Sequence, residues 1–421
     1  MKISVIGCGY VGAVTGACFA DMGHEVVLVD VDPAKIQAID AGQSPIYEPG
    51  LDDLIRKNQN RISATTNLLA AVGSTDITFV AVGTPSQEDG AIDLSYVLTA
   101  CEEIGQAIRD KETFHVVIIK STVFPGTAKE MACLALEEAA GKVAGKDFGL
   151  GSNPEFLREG SAIRDCLSPD RIVIGADDPR TAGILSELYA PLGATVLVTP
   201  ITTAEMVKYA SNAVLATKIS FANEIGNLCK RLGVDSREVF TAVGMDNRVN
   251  PAFFRTGIGF GGSCFPKDVR ALVAGARAHG EDLKILRAVL EVNEEQPKKL
   301  LALLRQHIPV LRGKTIGVLG LAFKPDTDDV RESRAIPVVA DLLAAGALVV
   351  AYDPVAMENF SRIFPQITYA STPGEVLGTD AVLILTEWRE FEELDYTGKL
   401  VVDGRRIEKA RMGSTYEGVC W

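Results

Sequence analysis

The amino-acid sequence predicts the α/β fold class: two doubly wound parallel-sheet domains joined by a helical domain with one long central helix. Three observations carry this. Short apolar runs alternate with helical stretches over residues 1–200, the rhythm of βαβ units. Residues 203–232 are alanine-rich with no Pro or Gly before Gly226, as one uninterrupted helix of roughly 25 to 30 residues requires. Near Gly313 the strand–helix alternation returns. The expected domains are 1–200, 201–309 and 310–421, ordinary for 421 residues at roughly 150 per domain.

The elements follow in order. Residues 2–6 form an apolar strand ending in Gly7-Cys8-Gly9-Tyr10-Val11-Gly12, and a helix of small residues runs on to Gly23. A second strand, 25–29, stops at Asp30. Strands at 77–82, 115–119 and 148–151 end in Gly83-Thr84-Pro85, Lys120-Ser121-Thr122 and Asn153-Pro154. The second α/β unit has strands at 314–319, 348–352, 381–385 and 399–402 and a helix at 335–345, without the glycine pattern of the first. In such sheets the carboxyl ends of the strands carry the ligand loops.

Composition narrows the function. Hydrophobic residues make up 47% and charged residues 23%, as in soluble globular proteins, and 39 Gly with 6% aromatics suit α/β layers. No apolar run reaches the roughly 18 residues of a membrane span, so no membrane partner is expected. Met1 leads straight into a strand without a basic leader, so no signal peptide and a cytoplasmic location are expected. A net charge of -13 argues against a nucleic-acid partner but allows an anionic small molecule held by local cations. The 8 cysteines include no C-x-x-C pair, so they read as thiols in a reducing compartment. His24, His115, His279 and His307 lack metal-ligand spacing, and no metal is expected.

Five motifs carry chemistry. Gly7, Gly9 and Gly12 lie between strand and helix, with Asp30 18 residues beyond Gly12. The glycines permit a tight turn, close approach of a pyrophosphate and close helix packing; the acid suits a ribose diol and repels a 2′-phosphate, so NAD is expected. Second, a glycine-rich stretch ends in Gly261-Gly262-Ser263-Cys264-Phe265-Pro266-Lys267-Asp268. With Pro266 as first helical residue, Cys264 sits at the positive end of a helix beside Lys267, which favours a thiolate nucleophile over a merely structural thiol. Third, Glu155 and Glu159 in Asn153–Gly160 are four apart, so a helical turn would put both carboxylates on one face, either as acid–base groups or as a solvated acidic turn. Fourth, Lys208 and Asn212 share a face of the long helix; together they could stabilise an oxyanion, although isolated helix residues of these types are usually solvated. Fifth, Arg248, Arg255, Lys324, Arg331 and Arg405 are candidate phosphate or sugar clamps, while Thr84 and Thr122 end strands of the first domain.

Taken together, these segments resemble the UDP-glucose/GDP-mannose dehydrogenase family over essentially the whole chain. Gly7 to Gly12 with Asp30, Gly83-Thr84-Pro85, Ser121-Thr122, residues 153–160, Lys208 with Asn212, residues 259–268 and Phe323-Lys324-Pro325 stand in family order, and Pro45-Ile46-Tyr47-Glu48-Pro49-Gly50-Leu51 resembles the UDP-glucose branch. The resemblance implies two Rossmann-like domains and a double, NAD-dependent oxidation of a sugar C6 alcohol through a thiohemiacetal and a thioester on Cys264. It implies that Lys208 and Asn212 steady oxyanions, that Glu155 serves proton transfer or hydrolysis, and that Thr122 and Asp268 position water and keep Lys208 charged. NAD contacts would come from Gly7, Gly9, Tyr10, Val11, Gly12, Asp30, Lys35, Thr84, Ser121, Thr122, Glu159, Lys267 and Arg331. UDP-sugar contacts would come from Glu155, Phe156, Leu157, Lys208, Asn212, Arg255, Gly261, Phe323, Lys324 and Arg405. Arg248 would reach the substrate of a neighbouring subunit, which implies a homodimer built on the long helix.

Competing substrates are GDP-mannose and UDP-N-acetylmannosamine. A two-electron alcohol or hydroxyacid dehydrogenase would not need Cys264. An NAD-responsive binding protein without turnover would need none of Cys264, Lys208, Asn212 and Glu155.

Overall fold

Runs of β-branched residues without interruption set the sheet of the first unit. Ile3 and Val5, and opposite them Val26 and Leu28, are all but fully buried, as expected for parallel strands covered on both faces. The computed structural model describes residues 1–421, in two compact units, Met1–Ser211 and Asn212–Trp421.

The first unit holds eight strands: β1 (Lys2–Ile6), β2 (Glu25–Val29), β3 (Ile62–Thr65), β4 (Ile77–Val80), β5 (Val116–Ile119), β6 (Gly149–Ser152), β7 (Ile172–Ala176) and β8 (Val196–Thr199). Their spatial order is β3-β2-β1-β4-β5-β6-β7-β8. The register pairs Lys2 with Glu25 and Ile6 with Val29. One pair departs from the parallel expectation: β7 runs antiparallel to β6. Between them the chain forms an extended loop and a short helix, Ala162–Leu167, and turns back instead of crossing over. Apolar layers cover both faces of the sheet. Val97, Cys101, Ile104 and Leu136 lie in one layer, and Phe19, Leu185 and Leu188 in the other. His115 belongs to a buried polar chain, with Nε2 2.7 Å from Thr78 Oγ1 and Nδ1 3.0 Å from the Lys111 ammonium. Nδ1 also lies 3.1 Å from Thr75 O; burial and the nearby Lys111 charge push this imidazole down to about 3, so the ring is neutral.

The second unit has β9 (Thr315–Leu319), β10 (Leu348–Tyr352), β11 (Thr368–Tyr369), β12 (Ala381–Ile384), β13 (Leu400–Asp403) and β14 (Thr415–Gly418), ordered β11-β10-β9-β12-β13-β14 and parallel throughout. Its core joins these strands to Val338, Val339 and Leu342 of helix Ala335–Ala344 and to Leu300, Leu301 and Leu304 of helix Lys284–His307. The long helix spans Ile201–Leu232, 32 residues, slightly longer than expected.

The two units repeat one turn. Gly7 (φ 96°) after β1 donates its N–H to Val29 at 2.7 Å, and Gly320 (φ 94°) after β9 donates to Tyr352 at 2.8 Å. A side chain at either would collide, with Ala81 O at 2.9 Å or Thr386 Cβ at 2.4 Å. Left-handed φ and close approach together require glycine there.

Candidate active site

The first unit builds a dinucleotide site around this turn. A Cβ on Gly12 would stand 1.8 Å from Gly7 O, whereas one on Gly9 would meet nothing within 4 Å. Gly12 therefore serves packing and Gly9 leaves a side open. Helix Tyr10–Asp21 starts at Gly9 with no side-chain cap and no acid in its first turn. The first-turn amides of Tyr10, Val11 and Gly12 thus remain as donors at the positive helix end, suited to a diphosphate. Asp30 Oδ2 accepts from Cys8 N (2.7 Å) and Lys35 Nζ (3.0 Å), and Oδ1 accepts from Asp32 N (3.0 Å). Burial opposes ionisation of this carboxyl, but the two amides and the ammonium outweigh it and hold it below the usual range. An ionised acid at this place accepts from a ribose diol, so the residues fit NAD. Thr84 and Ser121 are buried at strand ends; the Ser121 hydroxyl donates towards Val80 O and Val82 O.

Residues 153–158 form no helix, which corrects the expectation that Glu155 and Glu159 share a helical face. Pro154 and local side-chain bonds hold the chain extended instead. The Asn153 carboxamide donates to Val173 O (2.8 Å) and accepts from the buried Lys120 ammonium (2.9 Å). Glu155 takes Leu157 N at 2.5 Å and the Lys208 ammonium at 2.8 Å. Lys208 is no solvated helix residue: its side chain is 4% exposed and that of Glu155 6%. Burial pushes the Glu155 carboxyl up, and Lys208, the Leu157 amide and Lys120 outweigh it to hold it below its ordinary value. The Phe156 ring lies 5.6 Å from Lys208 Nζ and 4.0 Å from the Arg171 guanidinium. Leu157 packs with the apolar cluster of helix Tyr10–Asp21, and Glu159 is buried.

Sequence reasoning missed the residue that anchors this loop. Glu48 accepts from Gly160 N (2.6 Å) and Ala162 N (2.7 Å), and Gly160 N also reaches Tyr10 OH (2.8 Å). Glu48 therefore serves the first amide of helix Ala162–Leu167 and one amide of the loop before it. The signal available was an acid inside Pro45–Leu51, noted only as a branch marker.

In the second unit Cys264 is the N-cap of helix Phe265–Ala278. Pro266 is thus the second helical residue, not the first as expected. Cys264 O accepts from Asp268 N (2.8 Å), and Sγ lies 3.5 Å from Ser263 Oγ. Cys264 is partly exposed. By contrast, burial pushes the thiols of Cys8, Cys101 and Cys420 up to about 12. The Asp268 carboxylate, 1% exposed, bridges Asn212 Nδ2 (2.6 Å) and Lys267 Nζ (2.7 Å). From the first turn after Cys264 it thus holds the carboxamide of the long helix and the ammonium of its own neighbour.

The glycines before Cys264 are seated on the loop after β9. A Cβ on Gly261 would stand 2.2 Å from Glu332 O, and one on Gly262 2.7 Å from the Phe323 ring. Lys324 Nζ lies 5.8 Å from that ring, Arg331 forks onto Asp329 (2.9 and 2.7 Å), and Arg405 Nε donates to Leu385 O (2.8 Å). Arg255 and Arg248 stand out at the surface, with side chains 87% and 88% exposed and paired with Glu387 and Asp246. Asp353, unassigned from sequence, is the counterpart of Asp30. It is fully buried, and its carboxylate takes Leu321 N, Ala322 N, Trp388 Nε1, Val355 N and Ala356 N. No three His, Cys, Asp or Glu residues are grouped to hold a metal ion, and no helix is long and apolar enough to cross a membrane.

A dinucleotide turn with a ribose-type acid marks the first unit as the cofactor-binding part of an NAD-linked dehydrogenase. Comparison makes this particular. The models of the UDP-glucose/GDP-mannose dehydrogenase family match in sequence: its NAD binding domain at residues 1–193, its central domain at 202–295 and its UDP binding domain at 317–410. The chain belongs to this family. It is 47% identical to the UDP-glucose 6-dehydrogenase AglM of Haloferax volcanii, covering 100% of both chains. It is 40% identical to a GDP-mannose 6-dehydrogenase of Pseudomonas aeruginosa, again over 100% of both. The solved structure of a UDP-glucose dehydrogenase from Pyrobaculum islandicum superposes with a TM-score of 0.97 at 48% identity, covering 100% of this chain and 98% of that one.

Proposed function

We propose that the protein oxidises the C6 alcohol of UDP-glucose to the carboxylate in two successive steps. The observation that carries this reading is the partly exposed Cys264 at the start of helix Phe265–Ala278; the relatives named for UDP-glucose support the substrate. When bound, NAD supplies the hydride acceptor for each oxidation. The Cys264 sulfur adds to the C6 aldehyde carbon and gives a thiohemiacetal. Loss of the second hydride leaves a thioester, and attack of water releases the acid and returns the sulfur. Dividing a four-electron oxidation at a covalent stage replaces one difficult step by easier ones.

Lys208 and Asn212 donate to the oxygen on C6 wherever it carries negative charge, as preorganised donors. Glu155, ionised beside Lys208, accepts the proton of alcohol or water, with Thr122 and Asp268 orienting that water. Glu159, Lys267 and Arg331 contact the dinucleotide. Phe323, Lys324, Arg405, Arg255 and Gly261 contact the UDP-sugar.

We further propose a homodimer formed by the helical domain, residues 201–309. Val214, Phe221 and Leu228 recur every seven residues along the long helix and are 59%, 48% and 51% exposed. Seven residues are close to two turns, so they form one apolar stripe. Arg248 would then reach the partner's substrate. Sedimentation should give twice the chain mass, and Phe221→Glu should halve it; a monomeric wild type removes this part.

The decisive test counts product. UDP-glucose should yield two NADH per uronate. One NADH per sugar with an aldehyde end product would reject the double oxidation, and turnover confined to GDP-mannose would reject the substrate.

A further inference from the structure

Four charges in the second unit lie outside the site described above. Arg270, on the helix that Cys264 begins, forks onto Glu332 at 2.7 and 3.2 Å. Arg334, 3% exposed, reaches the same carboxylate at 3.2 Å and donates to Glu332 O at 3.1 and 3.2 Å. Both arginines also meet Glu294 of helix Lys284–His307 at 3.4 Å. Arg–carboxylate forks are directional, so the cluster fixes orientation as well as proximity.

Glu332 is also one of few non-glycine residues in the left-handed region, at φ 53°. Such strain persists only where the surroundings impose it. Its carbonyl is the atom that excludes a side chain at Gly261, and the neighbouring Arg331 O accepts from Gly262 N at 2.9 Å. Two bonds close the same loop: Ser333 Oγ donates to Leu321 O (2.7 Å) and Phe323 N to Asp329 O (3.1 Å). The cluster thus ties the helix of Cys264, the turn before it and the loop bearing Phe323, Lys324 and Arg331.

We propose that Glu332, clamped by Arg270 and Arg334, is a positioning residue that seats loop 321–334 on the Gly261–Gly262 turn and so presents Phe323 and Lys324 to the nucleotide sugar. The seating is a property of this unit alone; its effect on turnover rests on the function proposed above.

The test uses the full-length protein with Glu332→Gln, which removes the charge at nearly constant shape, and Arg270→Lys, which keeps a charge but loses the fork. Amide hydrogen exchange should speed up at Gly262 and Phe323 in both. The KM for UDP-glucose should rise on the order of tenfold, as for loss of one charge-assisted hydrogen bond, while kcat stays within about twofold. Unchanged exchange at both amides in both variants overturns the proposal, as does a lowered kcat with the KM for UDP-glucose unchanged. A wild type inactive on UDP-glucose would sink the function instead, and the exchange result would still decide the seating.

Discussion

Cys264→Ser should abolish uronate formation, lowering its rate by roughly 10³-fold or more. A hydroxyl in this position neither adds readily to an aldehyde nor leaves readily from an ester. The NADH yield should fall from two to at most one per sugar, and mass spectrometry of quenched wild-type enzyme should find an acyl adduct on the peptide containing Cys264. Stability should be nearly unchanged, because the residue is partly exposed and its side chain is not part of a core cluster. Uronate production by the serine variant at the wild-type rate would eliminate the covalent route.

The second large effect is expected from Lys208→Met. It leaves Glu155, 6% exposed, without the ammonium 2.8 Å away. Breaking a buried pair from one side typically costs about 3–5 kcal/mol, and here it also removes an oxyanion donor. In the wild type the Glu155 carboxyl lies below its ordinary 4.5. Its contribution is therefore present above pH 4.5 and is lost as pH falls below that value. In the variant burial dominates, the carboxyl rises above 4.5, and acidification through the new value should recover stability. Denaturant melts at two pH values check the sign. Adding Glu155→Gln should restore most of the lost stability and none of the activity; a double variant no more stable than Lys208→Met would show that the pair is not the source.

The legible parts of the fold were those with a local signature. β1, β2 and β10 lie where the sequence predicts them, because each is an apolar run ended by Gly or Asp. β3, β7, β8, β11 and β14 were not foreseen, and for two of them, β3 and β11, the reason is plain. Ile62–Thr65 is only half-buried and Thr368–Tyr369 has two residues, so neither shows an apolar run. The glycine turn and the Cys264 segment could be read because their chemistry lies within a dozen residues. Glu48 could not, since its partner Gly160 is 112 residues away and pairing over that distance leaves no periodicity. The helical-face argument for Glu155 and Glu159 failed because it assumed 3.6-residue spacing where Asn153 and Glu155 bond their own loop. Lys208 was undervalued for a related reason: spacing along a helix does not reveal which cations are buried.

The repeated turn carries one more consequence. Asp30 keeps part of its bonding capacity for an incoming diol, whereas Asp353 spends both oxygens on five donors of its own chain. The second copy has thus traded ligand reading for scaffolding. It cannot tell ribose from deoxyribose through its acid, so any preference for one pentose over the other must be written elsewhere in that half of the molecule.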